Sequence, residues 1–405
     1  MNYIETIFWI SIALLFYSYV GYGMIVYGIL RVRNLFNRKK ERPNLIKQGS
    51  LPNATILIAA YNEIDCISEK VQNTLALEYP ENKLQVMFVT DGSDDGTPDL
   101  LKRFDGIEVL HQDKRQGKIA AINRAMRHVQ TPIVVFSDAN TLLNKSAIWE
   151  ITKHYQNPKV GAVAGEKRIK QTAKDSASGA GEGLYWRYES FLKKLDSDLY
   201  SVVGAAGEIF SIRTDLFNAV DADTILDDFI ISLRIAQKGY RVMYEPNAYA
   251  IEEPCFSMKE EFTRKVRICA GGFQSVLRLR ELLNPFRYGI LSFQYFSHRV
   301  LRWVVNPFVL LALLPINCIL MLKIGGNYTF LFVAQSMFYL LSILGWHLKK
   351  KKLRVKLLFA PYYFSMMNFA ALIGFIRFIR NKQSVLWEKA KRVESKAVVG
   401  REDYI

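Results

Sequence analysis

The stretch Ile133-Val134-Val135-Phe136-Ser137-Asp138-Ala139-Asn140-Thr141 leads from an apolar run directly into a polar cluster. Similar short apolar runs, separated by segments with helical periodicity, occur between Asn53 and about Glu253. The strands that we predict from these runs are Ile56–Ala60, Leu84–Thr90, Ile107–Leu110 and Ile133–Phe136. Alternation of strands and helices predicts an α/β fold, with a mostly parallel sheet that carries helices on both faces.

Polar clusters follow three of these strands at their carboxyl ends. They are Tyr61-Asn62-Glu63 after the first strand, Asp91 to Thr97 after the second and Ser137 to Thr141 after the fourth. Each cluster alone is also typical of an ordinary turn or helix cap. Three clusters at one sheet edge favour a binding site, because ligands of open α/β sheets lie beyond the carboxyl ends of the strands.

Basic residues near Gly117 form a further candidate binding site. Lys114, Arg115 and Lys118 surround Gly117 at the start of a predicted helix. Such a start can hold an anion, although a solvated basic helix face is the alternative interpretation.

The carboxylate pair Asp227-Asp228 precedes the cationic cluster Arg264-Lys265-Val266-Arg267. A carboxylate with nearby cations suits group transfer from a nucleotide. The carboxylate takes a proton from an acceptor hydroxyl, and the cations stabilise a departing diphosphate. The alternatives are that the pair only opens a helix, and that some of the cations are membrane-surface anchors.

The composition also indicates a membrane protein. The chain has 405 residues, 50% of them apolar, and a net charge of +16. No residue from Ile7 to Leu30 is charged, and this length crosses a hydrocarbon core of roughly 30 Å. Because a basic flank follows, we expect an external N-terminus and a cytoplasmic domain; the flank contains Arg31, Arg33, Arg38, Lys39, Lys40 and Arg42. Such flanks and anionic lipid explain the positive charge, and no nucleic-acid motif accompanies it.

Three more apolar runs lie near the C-terminus, at Trp303–Leu322, Asn327–Trp346 and Leu357–Ile376. The first two predict a hairpin with Lys323 in a short outer loop and a strongly basic cytoplasmic exit. The third run leaves two alternatives. If it crosses, the basic tail lies outside, against the charge bias. If it re-enters or lies in the interface, the tail stays cytosolic, which is the alternative that we favour.

These patterns divide the chain into five segments. We expect a transmembrane helix and basic flank at 1–35, a cytosolic domain at 50–285, an interfacial amphipathic segment at 286–302, membrane segments at 303–380 and a basic cytosolic tail at 381–405. The four cysteines lack metal-ligand spacing and are predicted to be free thiols; they are Cys66, Cys255, Cys269 and Cys318.

The ordered motifs together resemble the membrane-bound family 2 glycosyltransferases, the group that includes cellulose, chitin, hyaluronan and poly-N-acetylglucosamine synthases. The resemblance extends over nearly the whole chain, and its specificity lies in the order of the motifs. They are Ala60 to Glu63, Asp91-Gly92-Ser93, Gly117-Lys118, Asp138-Ala139-Asn140, Gly204-Ala205-Ala206-Gly207, Asp227-Asp228 and Arg264 to Arg267. Tyr185-Trp186-Arg187-Tyr188-Glu189 and Asp227-Asp228-Phe229 are most similar to the cellulose-synthase-like bacterial branch. The resemblance implies a nucleotide-sugar-binding domain of the glycosyltransferase A type.

The resemblance also implies roles for the donor-binding residues. Tyr61, Glu63 and Asp91 would hold the uridine, and Lys118 would approach the diphosphate. Asp138 stands at the start of the family's D-x-D motif, which binds ribose and a divalent cation, Mg²⁺ or Mn²⁺.

On the acceptor side, the resemblance implies that Asp228 is the general base. Asp227 would lie beside it in the substrate site and is the next candidate for the base. Arg264 and Arg267 would lie near the leaving group and the acceptor, at the first and fourth positions of the family's Q-x-x-R-W segment.

The sequence departs from the family pattern at three positions. Asn140 replaces the second Asp of D-x-D, so it would be a neutral metal ligand. Arg264 replaces Gln, and Ile268 replaces a Trp that lines the acceptor site of processive relatives. An aliphatic side chain offers no flat stacking surface to a sugar, which puts processive polymerisation in doubt.

The predicted function is inverting transfer from a UDP-sugar to an acceptor hydroxyl at the cytosolic membrane face, in exopolysaccharide or cell-envelope glycan synthesis. The expected partners are a UDP-sugar donor, a glycan or lipid-linked acceptor and membrane lipids. Two alternatives stay open: transfer of a single sugar to a lipid-linked acceptor, and a non-catalytic nucleotide-binding scaffold. A transporter is disfavoured, because no predicted span carries an interior charge.

Overall fold

A computed structural model describes residues 3–36, 51–80, 82–170, 178–253, 258–350 and 356–384. Parts of the sequence-based interpretation fall outside these ranges and stay predictions. They are the cations Arg38, Lys39, Lys40 and Arg42 of the first flank, the thiol state of Cys255 and most of the tail.

The domain is built on eight strands: β1 Ala54–Ala60, β2 Leu84–Asp91, β3 Glu108–Gln112, β4 Ile133–Asp138, β5 Thr141–Leu143, β6 Val160–Ile169, β7 Ile209–Arg213 and β8 Arg241–Glu252. They form one sheet in the order β3-β2-β1-β4-β7-β6-β8-β5. Four neighbouring pairs are parallel and three are antiparallel. The predicted mostly parallel sheet is therefore confirmed, and β1 to β4 are the four predicted strands.

The α-helices of the described chain are α1 Tyr3–Phe16, α2 Tyr22–Phe36, α3 Ile64–Leu75, α4 Thr97–Leu101, α5 Lys118–Ala125, α6 Ala147–Thr152, α7 Ser178–Leu199, α8 Asp227–Gln237, α9 Met258–Arg278, α10 Pro285–Tyr288, α11 Ile290–Gln294, α12 Asn306–Lys323, α13 Asn327–Lys350 and α14 Lys356–Ile379. Two π-helical turns, Tyr17–Gly21 and Tyr295–Val305, join α1 to α2 and α11 to α12.

Apolar residues on alternate sides of the strands build two cores, one on each face of the sheet. Leu57 of β1 belongs to the core that α5 and α8 cover. Its neighbours Ile56 and Ile58 belong to the core that α3 and α6 cover. Helices therefore lie on both faces, as the strand and helix alternation predicts.

Four helices are long and apolar enough to cross a membrane: Tyr3–Phe36, Ile290–Lys323, Asn327–Leu348 and Ala360–Ile379. They indicate an integral membrane protein. The second helix also contains most of the segment at 286–302, and several of its side chains, including His298 and Arg299, are buried. The interfacial location of that segment stays a prediction. Cys66, Cys269 and Cys318 are free thiols, as predicted.

A buried group of charged residues joins the domain to these helices, and we call Glu189, Asp196, His298, Arg299 and Arg302 the junction cluster. Glu189 Oε1 accepts from Arg299 Nη1 at 2.7 Å, and Glu189 Oε2 accepts from Arg302 Nη1 at 3.1 Å. Burial alone would raise the pKa of Glu189, but Arg299, His298 and Arg302 hold this pKa well below its ordinary value. His298 Nδ1 lies 2.6 Å from Asp196 Oδ2. These ion pairs fix α7 to the helix Ile290–Lys323.

The last helix, α14, lies against both the domain and the spans. The ring of Phe369 is 6.2 Å from that of Phe262 in α9, and the ring of Phe375 is 4.9 Å from that of Phe308 in α12. At the other end of α14, Leu358 packs so closely on α13 that a Cβ added at Gly345 would lie 2.7 Å from the Leu358 carbonyl oxygen. The C-terminal half of α14 therefore packs on α9 and α12, and its N-terminal end packs on α13.

Candidate active site

Asp91 ends β2 and organises the loop before α5. Its Oδ2 accepts hydrogen bonds from the backbone N–H groups of Gln116 at 2.8 Å and Gly117 at 2.6 Å. Its Oδ1 is buried and has no hydrogen-bond partner among the described residues, and the Arg124 guanidinium is 3.9 Å away. Asp91 is thus fixed through one oxygen, and its other oxygen remains able to accept from a ligand.

Tyr61 and Glu63 lie at the neighbouring end of β1. The Arg115 guanidinium stacks 3.7 Å above the Tyr61 ring, which connects the β1 end to the loop before α5. Glu63 is largely buried; its backbone N–H donates to Thr97 Oγ1 at 3.0 Å, and its Oε2 accepts from Cys66 Sγ at 3.3 Å. The structure brings these residues to the predicted edge, and their uridine-binding role stays a prediction.

Residues of β4, of α8 and of the loop at Gly207 lie close to Lys118, the first residue of α5. Lys118 Nζ donates to Asp138 Oδ1 at 2.7 Å and lies 3.5 Å from Asp227 Oδ2. A Cβ added at Gly207 would lie 3.3 Å from Asp228 Oδ2 and 3.8 Å from Lys118 Nζ. We call Lys118, Asp138, Asp227, Asp228 and Arg267 the sheet-edge cluster.

Electrostatics in the sheet-edge cluster are unbalanced, because three carboxylates share two cations. Burial and the like charge of Asp227 raise the pKa of Asp228 to about 7, against the opposing effect of Lys118. Burial also raises the pKa of Asp138. For Lys118 burial has the opposite tendency, but the carboxylates of Asp138 and Asp227 keep its pKa above the ordinary value. Burial lowers the pKa of Arg267, which faces Asp227, Asp138 and Asp228.

The backbone of α8 places the carboxylate pair. Asp228 Oδ1 accepts from the backbone N–H of Phe229 at 2.8 Å, so Asp228 does stabilise the first helical turn. Gly204 has a φ of +104°, and a Cβ there would lie 2.3 Å from the Phe229 ring. Only glycine allows this approach. The helix-opening interpretation is therefore correct but incomplete, since Asp228 also faces Lys118.

Asn140 and Arg264 lie in a second group of charges beside this cluster. Asn140 Nδ2 donates to Glu252 Oε1 at 3.4 Å, and Arg264 Nη1 donates to Glu252 Oε2 at 3.2 Å. Lys167 Nζ donates to Glu208 Oε1 at 2.5 Å and also contacts Glu252. Lys167 holds the pKa of Glu208 at about 2, although burial opposes this shift.

Sequence reasoning missed Lys167, Glu208 and Glu252. Glu208 directly follows the Gly204 to Gly207 motif, and Glu252 ends β8. These positions, at the end of a motif and of a strand, are the sequence signals that could have predicted both residues as part of the site. Of the three cations predicted around Gly117, Lys118 reaches the carboxylates, Arg115 stacks on Tyr61, and Lys114 is exposed.

A buried lysine supports the turn that carries Asp138 and Asn140. Lys70 Nζ donates to Ser137 Oγ at 2.8 Å and to the Thr141 carbonyl oxygen at 2.7 Å, one residue beyond each end of the turn. Its burial lowers the pKa of Lys70 to about 7. Nothing in the sequence around Lys70 indicated this contact.

Residues 55–220, which include Asp91, Lys118 and Asp138, match the family model described as Glycosyl transferase family 2. The chain contains a family 2 glycosyltransferase domain. It is 28% identical over 294 residues to the poly-beta-1,6-N-acetyl-D-glucosamine synthase of Staphylococcus aureus (strain MSSA476), covering 69% of this chain and 67% of the relative. The synthase of that name from Staphylococcus epidermidis is 24% identical over 302 residues, covering 71% of this chain and 70% of the relative.

A solved structure supports the fold of the glycosyltransferase. A mannosyltransferase from Pyrobaculum calidifontis, in complex with GDP-Man and Mn²⁺, has a TM-score of 0.70 and 21% sequence identity. The match covers 93% of this chain and 99% of that chain. The predicted glycosyltransferase A-type fold is confirmed, and the match to the family profile identifies residues 55–220 as a glycosyltransferase domain.

Proposed function

We propose that the protein transfers N-acetylglucosamine from UDP-N-acetylglucosamine to a hydroxyl of a growing glycan, with inversion at the anomeric carbon. The observation that carries this proposal is Asp228, a half-buried carboxyl with a pKa of about 7 that faces Lys118 and Arg267. The choice of sugar rests on the names of the staphylococcal relatives.

The chemistry follows from these positions. Asp228 takes the proton of the acceptor hydroxyl while the hydroxyl oxygen forms a bond to the anomeric carbon. The bond from that carbon to the diphosphate oxygen breaks on the opposite face, and UDP leaves with the electron pair. Lys118 and Arg267 offset the developing negative charge of UDP in a site largely shielded from water.

The donor nucleotide would occupy the ends of β1 and β2. Asp91 Oδ1, which is buried without a hydrogen-bond partner in the described chain, is suited to accept from the N–H of the uracil ring. Tyr61 with Arg115 supplies a flat neighbouring surface. Glu63 would contribute to the same pocket.

The residues present fit a divalent cation that is completed by substrate. Among the described residues no group of three His, Cys, Asp or Glu side chains has the arrangement of an all-protein metal site. Mg²⁺ commonly binds through one or two carboxylates and substrate phosphates, and Asp138 with Asn140 supplies such a donor set. A bound Mg²⁺ or Mn²⁺ would supply Lewis-acid stabilisation of the diphosphate.

The test of donor and product uses membranes that contain the protein and a panel of radiolabelled UDP-sugars, followed by sizing of the product. We expect incorporation from UDP-N-acetylglucosamine, and none in Asp228→Asn membranes. Incorporation from a different UDP-sugar would correct the donor. Label confined to a lipid fraction as a single sugar would favour the lipid-linked alternative, and binding of UDP without transfer would favour the scaffold.

The test of the cation is activity in the presence of a chelator. We expect activity to be lost and to return with Mg²⁺ or Mn²⁺. Asn140→Asp adds a charged ligand and should lower the cation concentration that gives half-maximal activity. Full activity in excess chelator would remove the cation from the proposal.

We propose that the domain is cytosolic and that α14 does not cross the bilayer. In the hairpin of α12 and α13, Phe308 near the start and Gly345 near the end would lie at similar depths, because both are far along their helices from the joining loop at Gly325. Since α14 packs on both residues, its two halves would lie away from the side of the membrane that holds that loop. Reporters should therefore be external after Gly325 and cytoplasmic after Ser384. An external reporter after Ser384 would show that α14 crosses.

A further inference from the structure

A tryptophan of α7 lies beside the charged groups next to the sheet-edge cluster. The ammonium groups of Lys167, Lys193 and Lys265 lie 5.4, 5.9 and 5.6 Å from the centre of the Trp186 ring. Each distance is within the range of a cation–π interaction. The three lysines come from β6, α7 and α9, so three separate elements fix the position of one half-buried indole.

Lys193 is the unusual member of this group. Its Nζ is buried and has no hydrogen-bond partner among the described residues, and its contacts are the rings of Trp186 and Tyr244 at 5.9 and 5.8 Å. A buried ammonium without a carboxylate is costly, and an apolar residue would fill the same space at less cost. A lysine at this position is suited to hold the Trp186 ring in one orientation for a ligand.

The path from Trp186 to the base is short. Lys167, which contacts the Trp186 ring, donates to Glu208 Oε1 at 2.5 Å. Glu208 directly follows Gly207, where a Cβ would lie 3.3 Å from Asp228 Oδ2. The same helix, α7, carries Glu189 and Asp196 of the junction cluster. Trp186 is therefore linked through Lys167 and Glu208 to the surroundings of the proposed general base, and through α7 to the junction cluster.

We propose that Trp186 is a stacking platform for the acceptor sugar and that Lys193 is a positioning residue for it. The indole face would pack on the apolar C–H face of a neutral pyranose, in the role left open by Ile268. Glu208 and Glu252, whose side chains keep 16% and 17% exposure, would accept hydrogen bonds from its hydroxyls. The inference rests on the proposed function and names the acceptor class of the same site.

The variants that test the platform are Trp186→Ala and Trp186→Phe, with Trp149→Ala as the control for loss of a partly buried Trp in the same domain. The probe is a short β-1,6-linked N-acetylglucosamine oligosaccharide. We expect Trp186→Ala to raise the acceptor KM roughly 2–12-fold, the equivalent of one lost aromatic contact, and to shorten the product. Trp186→Phe should retain most of the affinity. UDP affinity should not change.

Two measurements separate this inference from the proposed function and from a structural role. Oligosaccharide binding to the donor-free protein, measured by calorimetry, does not depend on transfer and should weaken in Trp186→Ala. Lys193→Met should weaken acceptor binding with UDP affinity retained, whereas the exposed neighbour Lys194→Met should have no effect. Equal loss of donor and acceptor affinity would make Trp186 a structural residue, and an unchanged acceptor KM would overturn the platform.

Discussion

The sheet-edge cluster and the junction cluster contain the same kinds of side chain in opposite electrostatic states. In the junction cluster, two carboxylates meet two guanidiniums and a histidine, and the pKa of Glu189 is held low. In the sheet-edge cluster, three carboxylates meet two cations, and the pKa of Asp228 is raised to about 7. The first cluster is balanced for stability. The second holds excess negative charge that a substrate proton or a cation would relieve.

The largest difference between the clusters should appear in activity. Asp228→Asn removes the proposed base and should lower transfer by on the order of 10²–10⁴-fold, while UDP affinity is retained. The exposed Asp215→Asn of the same domain is the control. Substantial residual turnover in Asp228→Asn would move the base to Asp227.

Stability should respond in the opposite sense in the two clusters. Glu189→Gln leaves Arg299 and Arg302 buried with no carboxylate between them, which should cost roughly 3 kcal/mol of unfolding free energy. The control, Glu281→Gln, breaks an exposed pair with Arg287 and should cost less than about 1 kcal/mol. Denaturant unfolding of the purified protein measures both. Similar small losses would show that the junction cluster is not held by charge.

The same comparison predicts that Asp228→Asn stabilises the protein at high pH. The folded-state pKa of Asp228 is above its ordinary value of 3.8, so the unfolded chain loses this proton first as pH rises. Folding stability is therefore lost between about pH 4 and pH 7 in the native protein and not in the variant. At pH 8 the variant should unfold at a higher temperature, and below pH 4 the two should agree. A lower unfolding temperature for the variant at pH 8 would contradict the raised pKa.

The pH dependence of activity sharpens the assignment within the sheet-edge cluster. Because the base must be deprotonated, kcat/KM should fall as pH drops below about 7. Asp227→Asn removes a like charge, so the acidic limb should move to lower pH, by on the order of one pH unit. A pH profile of both proteins measures the shift. A limb that stays in place would mean that Asp227 does not influence the base.

The smallest expected effect concerns product length. Ile268→Trp restores an aromatic residue near Arg267 and should lengthen the product several-fold at most, since one aromatic contact is worth roughly 0.5–1.5 kcal/mol. Gel sizing of the products from the native and variant proteins measures this change in product length. Long polymer from the native protein would show that residue 268 does not limit chain length.

The two clusters also differ in how far sequence predicts them. The strands and the positions of Asp91, Lys118 and Asp138 follow from local signals, because an apolar run fixes a strand and the polar residue after it reaches the sheet edge. Glu189 and Arg299 lie 110 positions apart, and Lys167 and Glu208 lie 41 apart. No local pattern links such partners, so the junction cluster and the contacts of Asn140 and Arg264 required the three-dimensional arrangement.

Lys70 has a consequence for the energetics of donor binding. Because its ammonium is bonded to both flanks of the Asp138 to Asn140 turn from inside the domain, the turn is ordered before any nucleotide arrives. The turn therefore loses its conformational entropy during folding, and no further loss is required each time a donor binds. At the proposed donor site, this ordered turn should give a greater donor affinity than a turn that ordered only on binding.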